Sequence, residues 1–146
     1  MADPASTKLY SPQLLALSAS LANYPFDPAF IHRAEARSRT CGSTIIAGLD
    51  TAGDGRVTRI GLQVSACAVG QSSAGIMAGQ IVGKSVDDLR EVLREIEDWL
   101  GDAGPIPDWP GFNALAAAQP HSGRHGALLL PWKAALAALS SRDASG

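Results

Sequence analysis

A two-residue alternation from Val57 to Ala66 gives way, directly after Cys67, to segments patterned for helix, and that order narrows the possible folds more than any other feature. Thr58, Ile60, Leu62, Val64 and Ala66 form the more apolar side of the alternation. Val57, Arg59, Gly61, Gln63 and Ser65 form the other. A strand buried on one face requires such a split. Upstream, Ser43 to Leu49 carries the β-branched run Thr44, Ile45 and Ile46. The stretch between, Asp50 to Gly55, is rich in Asp and Gly and reads as a hairpin turn. A third strand, about Ala34 to Thr40, is expected to pair at one edge.

The helical segments carry their own boundaries. Ser11 and Pro12 have the N-cap and first-turn pattern, Leu14, Leu17 and Leu21 share one face, and Asn23-Tyr24-Pro25 ends the run. Gln71 to Val82 reads as helix, with Gly75, Gly79 and Gly83 expected to allow close approach to the sheet. Ser85 to Leu100 is the clearest helix: Ser85 caps it, Asp87 and Asp88 complement its dipole, and Gly101 ends it. Its predicted buried stripe is Leu89, Val92, Leu93, Ile96 and Leu100. A proline-containing loop, Asp102 to Gly111, leads to a short helix at Phe112 to Ala118. A final helix at Leu128 to Leu139 has Pro131 near its first turn. Strands first and helices afterwards indicate an α+β fold: a three-stranded antiparallel sheet with helices packed on one face. The hairpin is expected to meet helices 71–82 and 85–100. With 146 residues and 46% hydrophobic content, the chain is read as one domain, 1–146, with residues 1–8 disordered and 140–146 a frayed tail.

A formal net charge of −2 provides no basic field for nucleic acid and no polybasic membrane anchor. No apolar run approaches a bilayer span, and the first ten residues lack a signal-type apolar core, so a cytoplasmic protein is expected. Asp50, Asp54 and Gly55 match part of a calcium loop, but Ala52 and Gly61 stand where oxygen ligands are needed. Ala78 to Ser85 nearly spells a phosphate loop, yet helix rather than strand precedes it. The plainer reading is a helix–turn–helix joint closed by Gly83 and capped by Ser85.

The two cysteines, Cys41 and Cys67, read as either buried free thiols or a pair of ligands. Cys41 precedes the first hairpin strand and Cys67 follows the second, so a hairpin can bring both to one end of the sheet. His121 and His125 lie in the loop before the final helix. Two sulfurs with one or two imidazoles would suit zinc or iron.

The same residues carry a family resemblance. Cys41-Gly42-Ser43 is similar to the Cys-Gly-Asp of the U-type iron–sulfur scaffold family (IscU, SufU and the N-terminal part of NifU). Cys67 and the Ser/Ala-rich stretch after it resemble that family's second cysteine and its helix, and Val82 to Leu89 resembles its Gly-Lys-Thr/Ser cap. Arg124 to Ala135, anchored on Trp132-Lys133-Ala134, looks like the SufU-type segment that carries the third cysteine. The long segment between Cys67 and that anchor also suits the SufU-like branch.

The resemblance covers roughly Cys41 to Leu139 and implies a SufE/NifU-like fold without enzymatic activity. It implies an iron–sulfur assembly scaffold that accepts sulfur from a cysteine desulfurase and holds an iron–sulfur cluster, zinc or iron. A monomer or weak homo-oligomer is expected. Three positions depart from the family pattern: Ser43 replaces its Asp, Ala127 its third cysteine and Gly126 the IscU-type histidine. The IscU chaperone-recognition segment falls on Pro120 to Arg124 and is not reproduced. The implied metal set is therefore Cys41 and Cys67, with His125 as the residue placed to supply a further ligand. A metal-free interaction module on the same fold is the alternative.

Overall fold

The computed structural model describes residues 11–39 and 42–140. The expected disordered start at 1–8, the expected frayed tail 140–146 beyond Ser140, the Thr40 end of the first strand, and Cys41 lie outside them; Ser140 itself is helical. In chain order the elements are helix α1 (Pro12–Ala19), strands β1 (His32–Arg37), β2 (Thr44–Thr51) and β3 (Val57–Ser65), and helices α2 (Ala68–Gln80), α3 (Val86–Leu100) and α4 (His125–Ser140). Short 3-10 turns follow α1 at Ser20–Asn23 and precede α4 at Phe112–Ala118 and Ser122–Arg124. The strands form one antiparallel sheet in the order β1-β2-β3. The α+β reading stands. β1 begins two residues before the expected strand, and Cys67 itself is the N-cap of α2, so that helix starts earlier than its periodicity suggested.

The inner sheet face carries Ile45, Ala47 and Leu49 of β2 and Ile60 and Leu62 of β3, all buried. Val57 has the wrong parity for this face yet is only 1% exposed. The cause is a bulge: Asp50 pairs with Arg59, but Thr51 pairs with Val57, so Thr58 is an extra residue and Val57 turns inward. On the outer face Gly48 and Gly61 stand opposite each other, and the Phe30 ring lies on both. A Cβ at Gly48 would come 2.6 Å from Phe30 Cδ2, so the ring requires that bare floor.

Helix α4 covers the inner faces of β1 and β2, and α3 packs on α4 rather than on the strands. This corrects the expectation that helices 71–82 and 85–100 would cover the hairpin; α2 meets the sheet mainly along β3. Between His125 and Ser140, α4 has Lys133 as its only charged side chain beyond the terminal imidazole. A helix apolar on nearly every side belongs in the middle of the protein.

Helix α2 is also central, buried at nine of its positions, including Val69, Ser72, Ser73, Gly75 and Met77. Gly75 faces α1, where a side chain would strike the Leu17 carbonyl. It does not approach the sheet as expected. In α3 the buried stripe is Leu89, Val92, Ile96, Trp99 and Leu100, and Leu93 is only half-buried. The stripe is rotated toward Trp99, whose ring stacks edge-on against Phe112 at 5.4 Å.

The joint between α2 and α3 is a docked turn, and the phosphate-loop pattern is coincidental. Gly83 sits at φ +91° and its N–H donates to Val57 O (2.8 Å), while Val57 N–H donates to Lys84 O (2.9 Å). Ser85 and Asp88 then form a reciprocal cap: Ser85 N–H donates to Asp88 (2.9 Å) and Asp88 N–H to Ser85 Oγ (3.2 Å). The calcium-loop carboxylates are likewise engaged, Asp50 by Ile31 N–H and Arg59, and Asp54 by Arg56.

Two outcomes follow from this packing. Ile96→Ala should cost roughly 2–5 kcal/mol in urea unfolding, and Leu93→Ala clearly less, since Leu93 keeps part of its side chain in water. The Ser85 N–H, with the Ser85 hydroxyl and Arg56 assisting, holds the Asp88 carboxyl below the ordinary carboxylate range. Its stabilising effect is complete above the unfolded value, about 3.9, and is lost as the pH falls through the lower folded value. Wild type should therefore lose stability across that acid interval that Asp88→Asn does not lose, in unfolding curves taken above and below it.

Candidate functional site

The end of the sheet nearest the first-turn residues of α2 is set by two pairings. Thr44 lies between Arg37 and Ser65 in register, so Ser43 and Cys67 leave the same end. Ser38 N–H closes the β1–β2 connection on Ser43 O (2.9 Å). Ser43, at the family's Asp position, is 4% exposed. Cys41 lies outside the described residues, so its distance to Cys67 is not part of this geometry.

Cys67 is a free, half-exposed thiol at the N-cap of α2. Its backbone is extended (φ −66°, ψ 171°), its side chain makes no cap hydrogen bond, and its carbonyl accepts Gln71 N–H at 2.9 Å. The Gln71 side chain is held by Ala66 O (2.9 Å) and by the Ser18 hydroxyl. The sulfur is thus left without a competing local partner at the point where β3 turns into α2.

The first turn of α4 lies against the first turn of α2. A Cβ on Gly70 would stand 3.3 Å from both Ala127 Cβ and Ala127 O, and 2.8 Å from Ala66 Cβ. One turn further, Ser73 Oγ donates to Leu128 O (2.6 Å) and accepts Trp132 Nε1–H (2.8 Å). Ala127, at the third-cysteine position, is 1% exposed. Pro131 sits inside α4 rather than near its start, and its missing N–H leaves Ala127 O, its i−4 carbonyl, without the usual helical donor.

His125 opens α4 instead of sitting in a loop, and it is half-buried. Its Nε2 lies 2.7 Å from Gln119 O. A carbonyl only accepts, so Nε2 is the donor, and in the neutral ring Nδ1 is then the nitrogen that keeps its lone pair. Metal-binding imidazoles are commonly oriented this way. His121 precedes a separate 3-10 turn and bonds through its backbone to Ala118 O (2.9 Å). Among the described residues no group of three or more His, Cys, Asp or Glu side chains is arranged to hold a metal ion. The described donors therefore do not complete a site for a metal or a cluster.

No protein-family model matches the sequence, and no curated protein matches it. Solved structures do. The crystal structure of a nitrogen-fixing NifU-like protein (N-terminal) from Brucella abortus superposes at TM-score 0.86 with 25% identity, over 97% of this chain and 99% of that one. A putative iron–sulfur cluster assembly scaffold protein for the SUF system from Fervidobacterium islandicum AW-1 superposes at 0.80 with 21% identity, over 92% of this chain and 98% of that one. The chain has the U-type scaffold fold.

Within the U-type fold, Gly70, Ser73 and Ala127 position the region around Cys67, and none of the three stood out as such in the sequence. The signal was present but faint: Ser73 lies in the Ser/Ala-rich stretch and Trp132 in the anchor motif, yet nothing in either announces a hydrogen bond between them. Among the described residues no helix is long and apolar enough to cross a membrane. Gly70→Ala should force the two helix starts apart, at a cost of about 1–3 kcal/mol in urea unfolding. It should also raise the rate at which a thiol reagent labels Cys67, read in a Cys41→Ala background.

Proposed function

We propose that this chain is a scaffold-like protein of iron–sulfur cluster assembly. Its thiols, Cys41 and Cys67, accept sulfur from a cysteine desulfurase and hold iron, zinc or a nascent cluster loosely as cargo. The observation that carries this reading is the pairing of a free, half-exposed Cys67 with a fold shared, over nearly its whole length, with the NifU-like N-terminal domain from Brucella abortus. The looseness follows from the neighbouring positions. Ala127 presents a buried methyl where the resemblance puts a third thiolate, and Ser43 a buried hydroxyl where it puts a carboxylate. Two thiolates do not complete a tetrahedral set.

His125 is the residue proposed to add a donor, through Nδ1. Neutral imidazole is the form that coordinates a metal. Being a carrier of cargo, the protein has no catalytic residue in this reading. It is proposed to work in the cytoplasm, with no part in binding nucleic acid or membranes.

The test is metal and acid-labile sulfide content after purification without oxygen. Wild type should carry substoichiometric metal, and Cys41→Ala and Cys67→Ala should each lose it. His125→Ala should lose as much as Cys67→Ala; occupancy equal to wild type there would leave a site of thiolates alone. Ala127→Cys should raise occupancy above wild type, since it restores a sulfur at the α2–α4 contact. If none of the cysteine or histidine changes alters metal or sulfide, the scaffold reading fails. The fold would then serve a metal-free interaction module.

A further inference from the structure

The two edges of the sheet are treated differently. Along β3, Leu62 N–H donates to Tyr24 O (2.8 Å) and Pro25 bridges Leu62, so part of that edge is covered. Along β1, β2 lies on one side and, among the described residues, no strand lies on the other. Ser38 N–H bonds Ser43 O, which makes 38/43 a hydrogen-bonded pair. Antiparallel alternation then makes 36/45 and 34/47 hydrogen-bonded pairs as well, and the N–H and C=O groups of Arg33, Glu35 and Arg37 point away from β2. An open row of this kind is a template for another strand.

We propose that the partner strand is β1 of a second copy of this chain, paired antiparallel about a two-fold axis at Ala34. Charge selects that register. With the axis at Ala34, Arg33 of each copy faces Glu35 of the other, twice, through hydrogen-bonded positions. Ala34 faces its own copy at a non-hydrogen-bonded position, where side chains come closest and a methyl fits. His32 then faces Ala36, and Ile31 faces Arg37.

Axes at Arg33, Glu35 and Ala36 each set like charges together. An axis at Arg33 puts that residue on itself. An axis at Glu35 puts Glu35 on itself and Arg33 on Arg37. An axis at Ala36 pairs Glu35 with Arg37 but sets Arg33 against the exposed Arg39. The present contacts of these side chains, Glu35 with Arg37 at 3.2 Å and Arg33 with Pro28 O at 3.0 Å, are between exposed groups and exchange readily.

The surface beside the edge also favours this pairing. A groove of about 410 Å³ runs along β1, lined by Phe26, Ile31, Ala34 and Ile46 with Arg33 and Glu35 at its rim. Ile31 is 61% exposed, one of three large hydrophobic side chains so placed among the described residues. Pairing at Ala34 brings the two grooves side by side at the axis and removes their apolar walls from water. Nothing in this pairing depends on the thiols.

Sedimentation of the full chain across a concentration series tests it. Wild type should show a reversible monomer–dimer equilibrium that weakens with salt. Arg33→Glu and Glu35→Arg should each weaken dimerisation about tenfold or more, because each sets two like-charge pairs at the axis. Mixed together, the two variants should associate again about as tightly as wild type. One copy then brings two carboxylates and the other two guanidinium groups to the same four positions. A wild type that stays monomeric at every concentration, variants that dimerise like wild type, or a mixture that stays monomeric would each overturn the proposal.

Discussion

Two adjacent hydroxyls in the most buried helix hold the layers together. Ser72 Oγ donates to Leu14 O in α1 (2.7 Å), and Ser73 Oγ donates to Leu128 O in α4 (2.6 Å). Both serines are fully buried, so each hydroxyl has to find its partner inside the protein. Carbonyls with a second lone pair on the flanking helices provide those partners. A third tie comes from Trp109, whose indole N–H donates to Ile76 O at 3.0 Å. Helix α2 is therefore the hub: α1, α4 and the 109–118 segment are each fastened to its backbone or its hydroxyls. Among the described residues no buried side-chain nitrogen or oxygen is left without a partner.

The hub also shapes the chemistry. Because α2 packs through small residues, its first turn can touch the first turn of α4, and the contact between Gly70 and Ala127 follows. That contact brings the segment of His125 and Ala127 to the turn where Cys67 sits. Ser43 is buried at the same end of the sheet, and Ala127 is buried where it meets Gly70. The U-type fold holds a buried hydroxyl at Ser43 and a buried methyl at Ala127.

Much of the fold was legible because its signals are local. The alternation in β3, the Ser85–Asp88 cap, the stop at Gly83 and the proline start of α1 each depend on a few adjacent residues and on backbone rules that hold in any protein. Cys67 was legible as a site candidate for the same reason: it stands where a strand pattern ends and a helix pattern begins. Val57 was not, since a bulge at Thr58 reverses parity without changing the sequence pattern. Leu93 was misplaced because an apolar stripe has a width, and only the position of Phe112 against Trp99 decides which flank is covered.

By itself, then, the sequence determined which segments are strands and helices, where most of them begin and end, and that thiol and imidazole residues lie at element ends. The tertiary structure alone decided the layer order. It placed α4, and not α3, against the sheet. It turned Gly75 toward α1 and set Ala127 on Gly70. The physical reason is that propensity and periodicity act within one element. A helix such as α4, apolar on nearly every side, carries no preferred face to reveal its neighbours, and only the mutual fit of whole surfaces selects them.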